Sequence, residues 1–520
     1  MDPASRRQWR TLPLALLVAI GGAPSALASG PEALRYSVAI HDPATRLADV
    51  RGVIPTSGDP KLELMMPVWS PGFYRVEDYA SRVQGLEARG EDGVPLAVSR
   101  PRPNLWVVEA GGRDRIVLAY RLLCDRRSVT TNEIAADYAV LNPAGTLIAP
   151  RRAVQAPRWP IEVRLELPPG WTAVTALPRL EGGAARGFGA TDYETLVDSP
   201  ILAGRLVVHE FELAGTAHVL ADAGELGDWD GARAVTDLAR IVSATRRFWG
   251  SLPFERYVFL NVFRPGGGGL EHKDSTLLTT NAARLAAPGA YLRWLGFVAH
   301  EYVHAFNVKR LRPVELGPFD FDRPPRTSSL WISEGLTTYV ADLVVRRSGV
   351  TTREEFLARL STLIRALQKQ PGRLLQTVEQ SSLEVWDNSL SGVNPSDQTV
   401  SYYVKGAVLG FLLDARIRAA TGGRKSIDDL MRLAYERYSG ARGFTREEFH
   451  RAAFEVAGVD LSAWLGRATA STEELDYEEA LAWFGLRFAA ATDPAEEWTL
   501  TVLEDATPDQ ARRLEAWLGK

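Results

Sequence analysis

His300-Glu301-Tyr302-Val303-His304 sets two imidazoles four residues apart, with a carboxylate next to the first. Around them Leu295, Val298, Ala299, Val303 and Phe306 recur at helical spacing, so the segment reads as a helix. Residues four apart project from one face, and His300 and His304 can therefore reach the same ion. Glu301, about 100° further round, stands beside that ion, where it can accept a proton from a water. Two histidines leave a catalytic zinc one protein ligand short. Downstream, Trp331-Ile332-Ser333-Glu334-Gly335 opens a second helical pattern, and Glu334 can complete a set of two histidines and one glutamate with one position left open. Two core histidines flanking an exposed glutamate, and an ordinary acid in a first helical turn, are the competing explanations. The conjunction of the two strings favours the metal.

The whole chain narrows the partners. Its 520 residues carry 60 basic and 64 acidic side chains, for a net charge of -4. That balance lacks the basic excess a nucleic-acid binder needs. Cys124 is the only cysteine among the 520 residues. A disulfide scaffold is thus excluded, and a metal site must be built from imidazole and carboxylate. Arg6, Arg7 and Arg10, the apolar run 12–20 and Ala26-Leu27-Ala28 before Ser29 follow the order of a secretory signal peptide over 1–28. The run is short for a membrane span and contains Pro13. The expectation is an exported protein, periplasmic or secreted, with no stable membrane span after cleavage.

The elements that must position the site change character along the chain. From 31 to 220, short and partly alternating runs at 36–40, 62–66, 105–109, 116–120, 161–167 and 206–213 are separated by Pro, Gly and Asp. They predict an N-terminal antiparallel β domain, a sandwich or an open sheet. Residues 232–249 carry a helical period ended by Gly250, and 257–263 and 275–280 read as strands. Beyond 290 helices are expected at 292–307, 330–347, 352–369, 403–420, 426–438 and 445–456, two of them opened by capping boxes, Thr352 with Glu355 and Thr445 with Glu448. The fold class is α+β and multidomain: a β domain (31–220), an α/β catalytic domain (221–349), a helical domain completing the site (350–470) and a short tail (471–520).

The motif with its distant glutamate resembles the gluzincin metallopeptidases, whose catalytic domain is thermolysin-like, and further strings resemble the glycyl aminopeptidase family. These are HEYVHAFNVKRLRP from His300, LWISEGLTTY from Leu330 and Trp69-Ser70-Pro71-Gly72-Phe73-Tyr74. The resemblance implies one zinc held by His300, His304 and Glu334, with Glu301 as the base. It gives Gly268, Gly269 and Glu271 a substrate-binding role, because a Gly-x-x-Glu segment in related aminopeptidases holds the free α-ammonium. His272 either touches substrate or faces the groove, and stays outside the catalytic set. Tyr403 corresponds to a tyrosine that donates to the oxyanion, with Tyr402 the alternative if the register differs by one. The implied activity is removal of the N-terminal residue of peptides, glycine or alanine preferred. An endopeptidase of the same fold, or a peptide-binding protein with a vestigial metal site, are the competing functions. Family members commonly carry a PDZ domain; about 60 residues follow Asp460, fewer than the roughly 80 such a module uses, so that domain is expected to be absent or reduced.

Overall fold

The computed structural model describes residues 31–180, 186–387, 392–490, 493 and 496–519; the expected signal sequence lies outside them. The N-terminal part is sheet-rich. In Leu47–Pro55 the residues Ala48, Val50, Gly52 and Ile54 are buried while Asp49 and Arg51 are exposed, the alternation of a strand with one face on a core. This strand lies inside a seven-stranded sheet, and two four-stranded sheets complete the N-terminal part. Pairing is antiparallel except where Leu34–Ala39 runs parallel to Ile161–Glu166.

A central five-stranded sheet contains β1 (Val207–Leu213), β2 (Thr216–Gly224), β3 (Arg256–Phe263), β4 (Gly268–Glu271) and β5 (Ser275–Thr280) in the order β1-β2-β3-β5-β4. β3 runs parallel to both β2 and β5. Its near-continuous apolar sequence follows, because a parallel strand is covered on both faces. β4 forms the edge, antiparallel to β5. Two boundaries differ from the sequence reading. β1, grouped there with the N-terminal domain, belongs to this sheet; a period of two reports strand character but not which sheet recruits it. The Gly-rich stretch before Glu271 is a strand, held by its ladder to β5 despite glycine's poor strand propensity.

Helices follow. α1 (Gly231–Trp249) links β2 to β3, capped by Asp230 at its start and by Gly250 at φ 90° at its end. α2 (Ala290–His304) packs against β4 and stops at His304, short of the expected 307; Val308 then takes φ 109°. Trp331–Leu336 is a π-helical turn leading into α3 (Thr337–Arg347). α4 (Arg353–Lys369) carries the expected capping box, and α5 (Tyr402–Thr421) runs through the helical core. Residues after 470, expected as a tail, instead pack into that core. Trp517 is fully buried, stacks on Phe484 at 4.1 Å and donates to the Tyr339 hydroxyl at 2.9 Å, which in turn donates to Asp414 at 2.8 Å. The apolar stripe of Pro508–Leu518, ending in Trp517 and Leu518, is what buries it. The protein is mixed α+β: a sheet-rich N-terminal part, a central α/β region and a helical region.

Candidate metal centre and active site

One helical turn brings His300 and His304 together, with their Nε2 atoms 2.9 Å apart. Glu334 Oε2 lies 3.1 Å from His304 Nε2 and 3.7 Å from His300 Nε2. Three lone-pair donors therefore converge on one point. Ligands at zinc bond lengths of about 2.0–2.1 Å on a tetrahedron lie roughly 3.3 Å apart, and the observed separations bracket that value. The outer atoms fit as well. His304 Nδ1 donates to the Asn307 carbonyl at 2.8 Å, which turns its Nε2 lone pair inward. Thr338 Oγ1, itself donating to the Glu334 carbonyl at 2.9 Å, stands 3.4 Å from His300 Nδ1. The residues present fit a zinc ion.

Glu334 is aimed by its surroundings. Asn307 Nδ2 donates to the Ile332 carbonyl at 2.8 Å and to Thr337 Oγ1 at 2.9 Å, so the exit of α2 clamps the π turn that carries Glu334. π-helical turns cluster at functional sites. The other oxygen of Glu334 accepts the Tyr74 hydroxyl at 3.3 Å. Tyr74 comes from the N-terminal part, in the string Trp69 to Tyr74, which is pinned by Trp69 Nε1 donating to the Asp320 carbonyl at 2.9 Å and by edge contact of Trp69 with Trp386 at 5.5 Å. The sequence marked this string only as a signature. Its partner lies 260 residues away, and only the third ligand's need for support pointed to it.

Glu301 and Glu271 stand on facing walls. A Cβ on Gly269 would come 2.5 Å from Glu301 Oε1, and one on Gly72 only 2.3 Å from Glu271 Oε1. Both glycines are thus required by close approach, and Gly72 also has φ 97°. Glu301 Oε2 and Glu271 Oε1 are buried with no hydrogen-bond partner among the described residues. His272, the next residue on an alternating strand, points away from Glu271 and sits 3.2 Å from Asp198. Lys309 joins Asp198 at 2.6 Å. This cluster ties β4, the exit of α2 and the N-terminal part together. Of the two tyrosines, Tyr403 lines the cavity, its ring 6.1 Å from that of His300, while Tyr402 is buried and stacked on it at 4.8 Å. The cavity lined by Glu271, Glu301, Tyr403 and the three converging ligands measures about 1430 Å³.

Burial dominates the electrostatics. It pushes Glu301 well above the carboxylate range; His304 pulls it back, and Glu271 and Glu334 add to the rise. Glu271 is raised by the same burial. Glu334 departs in the other direction: burial opposes its charge, but the two imidazoles hold it below the ordinary carboxylate range. His304 is carried up against its burial by Glu334, whereas burial and His304 push His300 down to about 4. A site so arranged attracts one positive charge to the convergence of its three donors.

Fold and centre together define a metallopeptidase. The family model of the peptidase M61 N-terminal domain matches residues 35–205, and that of the M61 glycyl aminopeptidase matches 293–409. These segments take in more than half of the chain, which belongs to the M61 glycyl aminopeptidase family. No curated protein matches it in sequence. Among solved structures, an aminopeptidase N family protein from Idiomarina loihiensis is 27% identical, with a TM-score of 0.82 over 87% of this chain and 78% of that one. An M1 zinc metallopeptidase from Deinococcus radiodurans, solved with a Tyr-Ser-Ala substrate, shares the fold at 15% identity and a TM-score of 0.52, covering 86% of this chain and 95% of that one. Yeast LTA4 hydrolase with bestatin does so at 13% identity and the same TM-score, covering 85% and 68%.

Proposed function

We propose that this protein is an exported zinc aminopeptidase that hydrolyses the first peptide bond of peptides, preferring small N-terminal residues. The observation that carries the reading is the buried carboxylate of Glu271, whose Oε1 has no hydrogen-bond partner among the described residues, in the same cavity as Glu301 and the three converging ligands. Gly72 of the N-terminal part lies directly against Glu271, whose Oε1 a Cβ there would meet at 2.3 Å, and we take this contact as the end of the groove. A free α-ammonium suits such an end and an internal stretch of peptide does not, which favours an exopeptidase over an endopeptidase. Zinc bound by His300, His304 and Glu334 supplies Lewis acidity towards the scissile carbonyl and the attacking water.

The chain's own groups do the rest. Glu301, buried beside the three ligands, takes the water's proton and returns it to the leaving amine. The Tyr403 hydroxyl donates to the carbonyl oxygen as that atom gains charge. Glu271 receives the ammonium, and edge strand β4 offers backbone groups to the peptide as an added strand. A peptide-binding protein with a vestigial site has no need of Glu301, whose presence supports turnover.

The test uses paired short peptides, one with a free and one with an acetylated N-terminus, with and without a chelator. Cleavage of the free peptide alone, abolished by chelation, is expected. Equal cleavage of both would discard the aminopeptidase reading. A panel varying the first residue reads the preference for glycine and alanine. Export rests on the order of residues 1–28, and N-terminal sequencing of the mature protein should begin at Ser29.

A further inference from the structure

The far end of the cavity is basic. Side chains alternate along a strand, so Gly269 and Glu271 share the face of β4 that looks into the cavity. A peptide with its ammonium at Glu271 and its first amide beside Glu301 must run antiparallel to β4, from Glu271 towards Gly268. The four residues of β4 span about 10 Å, the length of an extended tripeptide. Beyond that end, in the turn that enters β4, a Cβ on Gly266 would stand 3.4 Å from Arg264 Nη1, and one on Gly268, on the other face of the strand, 3.6 Å from Val129 Cγ1. Arg126 and Arg127, in the loop leading to Val129, line the same cavity as Arg264.

These charges are not cancelled. Glu133 pairs with Arg264 Nε at 3.0 Å and with Arg127 Nε at 3.1 Å, and also accepts the Tyr138 hydroxyl at 3.0 Å. Both Glu133 and Arg264 are more than nine-tenths buried. One carboxylate thus serves two guanidiniums, and the pairing with Arg264 leaves Nη1 beside Gly266. Arg126 has no ion-pair partner among the described residues. Three guanidinium groups stand against one carboxylate.

We propose that this arginine cluster binds a carboxylate on the third residue of the substrate, which makes tripeptide free acids the preferred substrates. The inference rests on the aminopeptidase reading, because that reading sets the direction in which the peptide runs. The same chemistry is offered by a main-chain terminus or by an acidic third side chain, and the test separates them. The zinc-loaded full chain is assayed for kcat/KM on Ala-Ala-Ala as the free acid, on its C-terminal amide, and on Ala-Ala-Glu amide.

A charge-assisted hydrogen bond lost from the amide lowers kcat/KM roughly tenfold or more. Recovery on Ala-Ala-Glu amide assigns the site to acidic side chains as well, and no recovery assigns it to the terminus. In the double variant Arg126→Gln, Arg127→Gln the ratio of free acid to amide falls towards one; a ratio taken within one preparation is insensitive to the fraction folded. Equal rates on all three peptides, with the free-amine requirement intact, would overturn the subsite and leave the aminopeptidase. Cleavage of the acetylated peptide, or of none, would overturn both.

Discussion

Glu301 is not one of the three converging ligands, and its carboxylate lies directly against Gly269 of edge strand β4. Glu301→Gln therefore keeps the shape and the metal and removes the base. The expected result is a fall in kcat by about two to four orders of magnitude with unchanged zinc content, read by steady-state kinetics beside metal analysis. Asn307 works on the ligands themselves: its carbonyl sets the His304 tautomer and its amide holds the turn bearing Glu334. Asn307→Ala removes only the amide half. Zinc affinity should weaken about 10- to 100-fold in a chelator competition, while the unfolding transition stays cooperative.

At the scale of elements, the π turn carrying Glu334 and the start of α5 carrying Tyr403 meet backbone to backbone. A Cβ on Gly335 would fall 2.4 Å from Gly406 Cα. Gly335→Ala must push these elements apart, at a cost of about 1–3 kcal/mol seen as a lowered Tm. Activity should fall further than zinc content, since Tyr403 and Glu334 move relative to each other. The sequence made α2 and its ligands legible because one helical period links motif to geometry. Glu334 was legible because zinc's ligand count demanded it. β4 was not among the expected strands, since strand order is a long-range choice and glycine has poor strand propensity. The Tyr74 contact, which joins residues 260 apart, was not legible either; Tyr403 was preferred to Tyr402 by the family string, and it is the one that lines the cavity. The buried C-terminal helix was hidden for another reason: a short amphipathic segment looks alike whether or not a core receives it.

On the scale of the whole molecule, a buried histidine couples the central sheet to α2, the helix that carries His300 and His304. His218 on β2 stacks on Phe211 at 4.7 Å, and its Nε2 accepts the hydroxyl of Tyr302, on α2, at 3.0 Å. Burial lowers its pKa to about 4. As pH falls from about 6.5 to 4, the unfolded chain takes up a proton that the folded chain refuses, so stability drops by on the order of 3 kcal/mol. Denaturant unfolding at pH 7 and pH 4 should show this loss, and His218→Gln should lose less over the same interval.

The seam between the N-terminal part and the rest of the chain has a consequence for descent. Tyr74 holds one oxygen of Glu334, Gly72 makes room for Glu271, and Asp198 pairs with Lys309. Three residues of one half are thus written into the chemistry of the other. Recombination that exchanged the N-terminal half for a foreign sheet would deliver a folded domain and a broken active site. The two halves are expected to be inherited together, with substitution at Tyr74, Gly72 or Asp198 tolerated no better than substitution beside the three ligands.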